Sequence, residues 1–394
     1  MDPVRNPFAP GAGNPPPELA GRQEILRRAE IVIERTLQGR HAKSFMLVGL
    51  RGVGKTVLLN RIGQLAEQRN LRWQLVESPE DKPLPELLVP ALRKILLSLD
   101  TMTSIGNAAR RGLRILGNFA KSVKLKYEGL ELGVDVEKGL ADSGDLESDL
   151  TDLLVTVGEV AKTARTGVLL LIDELQYVGE GELSALIMAI HKTSQRQLPV
   201  ILIAAGLPQL VANMGRSKSY AERLFDFPEV GPLAHADAVT AISEPISKEG
   251  EKIAKPAIQE IIRLTEGYPF FIQVWAYHCW NEAAKSPIAL RDVQRAEPTV
   301  IKDLDESFFR VRFDRLTPSE KRYLRAMAEL GPGPHRSGEV ADALSVKVQS
   351  VAPTRNSLIK KGMIYSPRHG DTAFTVPLFD AFLKRQMPPL NSTP

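Results

Sequence analysis

Residues 49–56 read Gly-Leu-Arg-Gly-Val-Gly-Lys-Thr, and this octet constrains the fold more than any other stretch of the chain. Three glycines in six positions favour a turn with positive φ over a continuing strand or helix. A short apolar run, residues 45–48, precedes the octet, and a helix-period stretch, residues 57–69, follows it. Strand, glycine loop and helix in that order require a strand buried in a sheet with the helix packed back across it, so the chain is α/β from this point outward.

A loop of the form G-x-x-x-x-G-K-[ST] lets backbone N–H groups curl around phosphate oxygens, and the following helix N-terminus adds the positive end of its dipole. The expected phosphate-binding residues are Gly49, Leu50, Arg51, Gly52, Val53, Gly54, Lys55, Thr56 and Val57, with Lys55 bridging the β- and γ-phosphates and Thr56 holding Mg²⁺. Residues 168–174, Val-Leu-Leu-Leu-Ile-Asp-Glu, form a second motif: a buried strand ending in two adjacent carboxylates, as in the Mg²⁺-binding element of P-loop NTPases. Asp173 is expected in the Mg²⁺ shell, and Glu174 is expected to orient and polarise an attacking water as general base. Such an ending by itself is often only a strand entering a polar loop. The two motifs together specify ATP with Mg²⁺.

Apolar runs at 71–76 and 200–205 add further strands separated by helical stretches, which argues for a parallel sheet covered by helices. Leu146, Leu150, Leu153, Leu154, Val157 and Val160 follow a 3.6-residue period and predict a helix with one buried face. Residues 105–140 break the pattern. Within them, 123–136 alternate apolar and polar with two glycines and read as a hairpin-like insertion. After residue 233 the runs are helical, at 234–247, 256–265, 269–284 and 290–309. A third module starts near Leu316, where Thr317 as N-cap, Pro318 at N1 and Glu320 at N3 form a capping box. Helices at 337–344 and 350–361, the second capped by Ser350 with Pro353 in its first turn, precede two strands, 363–365 and 373–376. These pair across Arg368-His369-Gly370-Asp371, giving a winged helix-turn-helix.

Three modules suit a chain of 394 residues. Residues 1–17 hold six prolines and no apolar h-region, so they read as an extended arm rather than a targeting peptide. No apolar run approaches the ~18 residues of a membrane span. A single cysteine, Cys279, rules out an intramolecular disulfide and suits a reducing cytoplasm. The six histidines show no metal-ligand spacing, and His278 beside Cys279 lies in an apolar helical stretch with Trp275 and Trp280.

Charge is unevenly spread. Residues 315–394 contain 12 Lys/Arg against 6 Asp/Glu, whereas residues 1–314 contain 39 against 41. A basic excess on a winged helix points to double-stranded DNA, with Lys347, Gln349, Thr354, Arg355 and Asn356 facing outward from the second helix of the motif and Arg368 and His369 at the wing tip. The plainer alternative is a packing or protein-docking module with a solvated basic face.

The glycine loop, the Ile172-Asp173-Glu174 element and the helical segment after residue 233 resemble an AAA+ ATPase. The likeness is to the origin-recognition and replication-initiator group and the bacterial ATPases similar to it. Leu19-Ala20-Gly21-Arg22-Gln23-Glu24 fits that group's segment near the adenine. The resemblance covers about residues 19–385. It implies a P-loop AAA+ core with a parallel five-stranded sheet over 18–233, with 105–140 inserted, and an all-helical lid over 234–314. A winged helix-turn-helix over 315–386 and a flexible tail over 387–394 complete it. In such ATPases an arginine before the last strand reaches the γ-phosphate of a neighbouring subunit; here the matching residue is Arg223, which otherwise reads as a surface arginine on a helix. The end of the 200–205 strand, Gly206-Leu207-Pro208-Gln209, lacks the polar first sensor of the family. Gly267-Tyr268-Pro269 resembles the G-x-P element of signal-transducing STAND-type ATPases, implying a nucleotide role for Pro269. Two functions follow: an ATP-driven machine or switch on DNA that assembles through ATP at subunit interfaces, or a STAND-like scaffold with slow hydrolysis and a protein partner.

Overall fold

A computed structural model describes residues 1–11, 13–100, 106–124, 139–368 and 370–390. The chain divides into two compact units, one of Gln23–Val48 with Lys55–Glu229 and one of Met1–Arg22 with Gly49–Gly54 and Val230–Pro394.

The first unit runs α1 (Gln23–Leu37), β1 (Ser44–Val48), α2 (Lys55–Gln68), β2 (Arg72–Glu77), α3 (Leu84–Asp100), α4 (Gly106–Ser122), α5 (Leu146–Thr163), β3 (Val168–Asp173), α6 (Glu180–Gln195), β4 (Val200–Gly206), α7 (Gln209–Ser217), α8 (Ala221–Leu224) and β5 (Phe225–Asp226). Its five strands form one parallel sheet in the order β2-β3-β4-β1-β5. Every residue of β1 and β3 is buried, as expected of strands covered by helices on both faces. The register pairs Val48 with Gly206 and Glu77 with Asp173, so the ends of β1, β3 and β4 lie along the same carboxyl edge. In open α/β sheets that edge is where ligands bind.

The insertion at 105–140 contains a helix rather than only a hairpin. Ala109, Leu113, Leu116 and Ala120 place one buried stripe along α4. Three arginines and three glycines between residues 106 and 117 mask the helical period in the sequence. Gly112 is small for a reason: a Cβ there would come within 2.7 Å of Leu96 Cδ2, so the glycine lets α4 approach α3. Most of the expected 123–136 alternation lies outside the described residues.

The second unit holds α9 (His235–Lys248), α10 (Lys255–Thr265), α11 (Pro269–Glu282), α12 (Leu290–Asp303), α13 (Arg310–Phe313), α14 (Pro318–Leu330), β6 (His335–Arg336), α15 (Ser337–Ala343), α16 (Val348–Lys360), β7 (Ile364–Tyr365), β8 (Asp371–Phe374) and α17 (Phe379–Gln386). A π-helical stretch, Leu304–Phe309, continues α12. Phe270, Phe271, Phe308, Phe309, Phe379 and Phe382 pack ring against ring, with Phe309 stacked on Phe382 at 5.2 Å. This aromatic core joins α11 to α17. The proline-rich arm is anchored on α11: Phe8 is 2% exposed, Asn6 Nδ2 donates to Tyr277 C=O (3.0 Å), and Trp280 Nε1 donates to Asp2 C=O (2.8 Å).

The terminal sheet is antiparallel, β6-β8-β7, with Ile364 opposite Phe374 and Tyr365 opposite Ala373. β6 has no counterpart in the sequence reading, because two residues carry no alternation. α16 begins at Val348, two residues before the expected Ser350 cap; the Ser350 hydroxyl instead donates back to Lys347 C=O (2.6 Å). Pro353 therefore lies in the second turn, where its missing N–H removes the bond that Gln349 C=O would accept.

The capping box at α14 forms as expected, with Glu320 Oε2 accepting from Thr317 N–H (2.8 Å). Glu320 also accepts from Lys361 Nζ (2.8 Å) and the Ser357 hydroxyl (2.7 Å), tying α14 to α16. Burial alone would raise its carboxyl, but these donors outweigh it and bring it down to about 2. A depressed folded value stabilises the protein above the ordinary carboxylate range, and that contribution is lost as pH falls toward 2. The stability gap between wild type and Glu320→Gln, at most about 3 kcal/mol at neutral pH, is therefore expected to close in denaturant melts between pH 5 and pH 2. A gap independent of pH would disprove this.

Candidate functional site

The glycine loop takes the backbone that its sequence requires. Gly52 (φ 79°) and Gly54 (φ 91°) are left-handed, a conformation that costs other residues about 1 kcal/mol or more. A Cβ added at Gly54 would meet nothing within 4 Å, so the loop is open at that position. At Gly49 a Cβ would come within 2.1 Å of Val230 C=O, which explains the first glycine as a close backbone approach.

Three successive loop residues are gripped by three different parts of their unit. Arg51 N–H donates to Thr375 C=O (3.0 Å), just past β8. Gly52 C=O accepts from Phe270 N–H (3.1 Å), in the first turn of α11. Val53 C=O accepts from Arg22 Nη2 (3.2 Å), which also donates to Gly231 C=O (2.6 Å). Burial pushes the Arg22 guanidinium below its ordinary value, with the Asp237 carboxylate opposing. Thr375 is itself fixed: its hydroxyl donates to Gly362 C=O (2.5 Å), two residues beyond α16. Pro269 opens α11, and Gly267 (φ 73°) allows the close approach there, since a Cβ would come within 2.8 Å of Leu233 C=O.

Lys55 is the first residue of α2 and is 6% exposed. Beside it the Thr56 hydroxyl donates to Asp173 Oδ2 (2.5 Å), and Asp173 Oδ1 accepts from Glu174 N–H (2.8 Å). Burial pushes the Asp173 carboxyl above the ordinary carboxylate range. The Glu174 carboxylate pushes the same way, against the Thr56 hydroxyl, the Glu174 N–H and the Lys55 charge. A buried carboxylate with a second carboxylate adjacent and a hydroxyl in contact is a hard-oxygen donor set, and it fits Mg²⁺. The structure places Thr56, Asp173 and Glu174 side by side.

Gln176 was missed. It is buried, its Nε2 donates to Glu174 Oε2 (2.5 Å), and its Oε1 accepts from Leu207 N–H (3.0 Å) at the end of β4. The only sequence signal was a carboxamide two residues after the acidic pair. Arg223 lies on α8 with its side chain exposed. His191, a weaker expectation at the nucleotide, packs on Tyr220 with ring centroids 4.8 Å apart.

In the terminal module Lys347, Gln349, Asn356 and Arg368 are exposed and Thr354 is half-buried. Arg355 is not a free outward side chain. Its Nε donates to Thr372 Oγ1 (2.9 Å), and its Nη2 donates to Ser366 Oγ (2.9 Å) and Asp371 C=O (3.1 Å), so it braces β8 and the turn before it from α16. His369 lies outside the described residues. Among the described residues no three or more His, Cys, Asp or Glu side chains converge as a metal site, and no helix is long and apolar enough to cross a membrane.

Residues 18–203 match the AAA ATPase domain family, and residues 306–383 match a domain of unknown function, DUF8462. The first match covers the segment that carries both the glycine loop and the Asp173-Glu174 element. No curated protein matches the chain. Among solved structures, the Walker-type ATPase PABY2304 of Pyrococcus abyssi is 17% identical with a TM-score of 0.59, over 94% of this chain and 98% of that one. The RuvB Holliday junction branch migration motor of Thermotoga maritima is 14% identical with a TM-score of 0.45, over 94% and 97%. The Aeropyrum pernix ORC1 protein in complex with DNA is 14% identical with a TM-score of 0.45, over 94% and 93%. The likeness to the Pyrococcus protein speaks to the fold alone.

Proposed function

We propose that the AAA ATPase domain of this chain binds and hydrolyses ATP and that the terminal module carries the resulting change of state to double-stranded DNA. The observation that supports this most is the Thr56–Asp173 pair at the carboxyl edge of the sheet, one residue from the buried Lys55 and one from Glu174. In this reading the loop N–H groups and Lys55 hold the β- and γ-phosphates, and Thr56 and Asp173 hold Mg²⁺. Mg²⁺, when bound, neutralises charge on the β- and γ-oxygens. Glu174 accepts the proton of the attacking water. Pro269 borders the nucleotide, and the exposed Arg223 reaches the γ-phosphate of a neighbouring copy, so ATP at subunit interfaces drives assembly.

The terminal module is read as a winged helix-turn-helix. α16 presents Lys347, Gln349, Thr354 and Asn356 toward the major groove, Arg368 contacts the backbone from the wing, and Arg355 serves by bracing that wing. Sizing the full chain with and without ATP and a duplex tests the whole reading: a larger species that needs both ligands is expected, and one indifferent to both would sink it. Duplex affinity should fall steeply with salt, and Lys347→Ala should weaken it uniformly across sequences while reducing the log–log salt slope by about 1. An unchanged slope would remove Lys347 from the DNA contact.

A second reading, a STAND-like scaffold that exposes a protein-binding surface with slow turnover, draws on the Gly267-Tyr268-Pro269 turn and on the β4 end without a polar side chain of its own. A stable protein partner together with no affinity for any duplex would favour it.

A further inference from the structure

β3 ends at Asp173, and the chain turns sharply through Glu174, which adopts φ 53° and ψ 36°. A non-glycine residue in the left-handed region costs about 1 kcal/mol, and such strain persists where surrounding contacts over-determine it. Those contacts are on either side. Asp173 Oδ1 accepts the Glu174 N–H, and a short helical turn, Leu175–Tyr177, carries Gln176 back over the carboxylate.

The Gln176 amide has two ends with separate duties. Leu207 N–H is a buried donor and requires an acceptor, which Gln176 Oε1 supplies. That contact sets the orientation of the amide, so its NH₂ must face Glu174, where Nε2 donates to Oε2. Gly206 makes the arrangement possible: a Cβ there would lie 2.8 Å from Gln176 Oε1 and 2.8 Å from Leu210 Cδ2.

We infer that Gln176 is a positioning residue which fixes the Glu174 carboxylate and ties it to the carboxyl end of β4, supplying the polar link that Gly206-Leu207-Pro208 lacks. The inference rests on the ATPase reading above. Its consequence is that a shift at the end of β4 moves Glu174 through one side chain.

Four variants of the full chain separate the duties. Gln176→Leu removes both ends of the amide. It should lower kcat about 10- to 100-fold with KM for ATP unchanged, because the carboxylate that Gln176 positions acts on the water in the chemical step and not on the bound nucleotide. In a Glu174→Gln background the same change should add nothing further. Gln176→Glu keeps an acceptor for Leu207 but loses the donor to Glu174. In nucleotide-free protein, hydrogen exchange at the Leu207 amide should therefore quicken in Gln176→Leu and stay slow in Gln176→Glu, while both variants lose turnover. Gly206→Ala, which displaces the amide, should follow Gln176→Leu in both readouts. Wild-type turnover in Gln176→Glu, or losses that multiply between Gln176→Leu and Glu174→Gln, would overturn the inference. A wild-type protein with no turnover, yet with Leu207 exchange still set by Gln176, would overturn the ATPase reading itself and leave Gln176 a purely structural bridge.

Discussion

Lys55→Ala is expected to reduce ATP affinity by roughly 100- to 1,000-fold, about 3–4 kcal/mol. Lys55 is nearly fully buried at the start of α2, so its ammonium is held where charge–charge attraction is much less screened than in water. Alanine would leave phosphate charge facing only loop N–H groups and the helix dipole, each a weaker and fixed partial charge. Arginine should not rescue the loss, since its wide planar fork does not replace a compact ammonium at a site this enclosed. Titration calorimetry with ATP and Mg²⁺ reads the effect directly. A dissociation constant within threefold of wild type would remove Lys55 from the nucleotide site and with it the reading of the glycine loop.

Glu174→Gln is expected to do the opposite to binding. It keeps the shape and removes only the proton acceptor, so ATP should still bind while turnover falls about 10²- to 10⁴-fold, the range of a general base. Glutamine still occupies the left-handed position at φ 53°, and its side-chain oxygen can still accept from Gln176 Nε2, so local structure should survive. Any ATP-dependent assembly should become longer-lived in this variant, because the bound nucleotide is no longer consumed. Phosphate release over time, measured beside ATP affinity, tests both halves. Turnover within tenfold of wild type would move the proton acceptor elsewhere.

The sheet and the two motifs were legible because they are written in local patterns: four buried apolar residues before a glycine loop, and five before Asp173. The capping box at Thr317 was legible for the same reason, since a cap is satisfied within four residues. What escaped depends on contacts far apart in the chain. α4 hides behind glycines whose purpose appears only against Leu96. Arg355 reads as a free basic side chain until Thr372 and Asp371 are folded beside it, 17 and 16 residues away. Phe8 and Asn6 read as part of an extended arm, yet Phe8 is buried and Asn6 bonds α11 across 271 residues. Gln176 belongs to the same class: its partner Leu207 is 31 residues away, and no spacing rule anticipates the contact.

The grip on residues 51–53 has a consequence in equilibrium terms. Thr375 holds the loop by its carbonyl and the stretch just after α16 by its hydroxyl, so if the loop binds phosphate and the terminal module binds a duplex as proposed, one residue is shared by the two binding equilibria. Coupling of that kind is reciprocal: a ligand that favours one position of Thr375 must alter phosphate affinity at the loop by the same factor by which phosphate alters the affinity for that ligand. In the proposed function, an occupant of the terminal module would thus shift the ATP concentration at which the loop fills, and the threshold for nucleotide would be a property of the duplex as much as of the loop's own glycines.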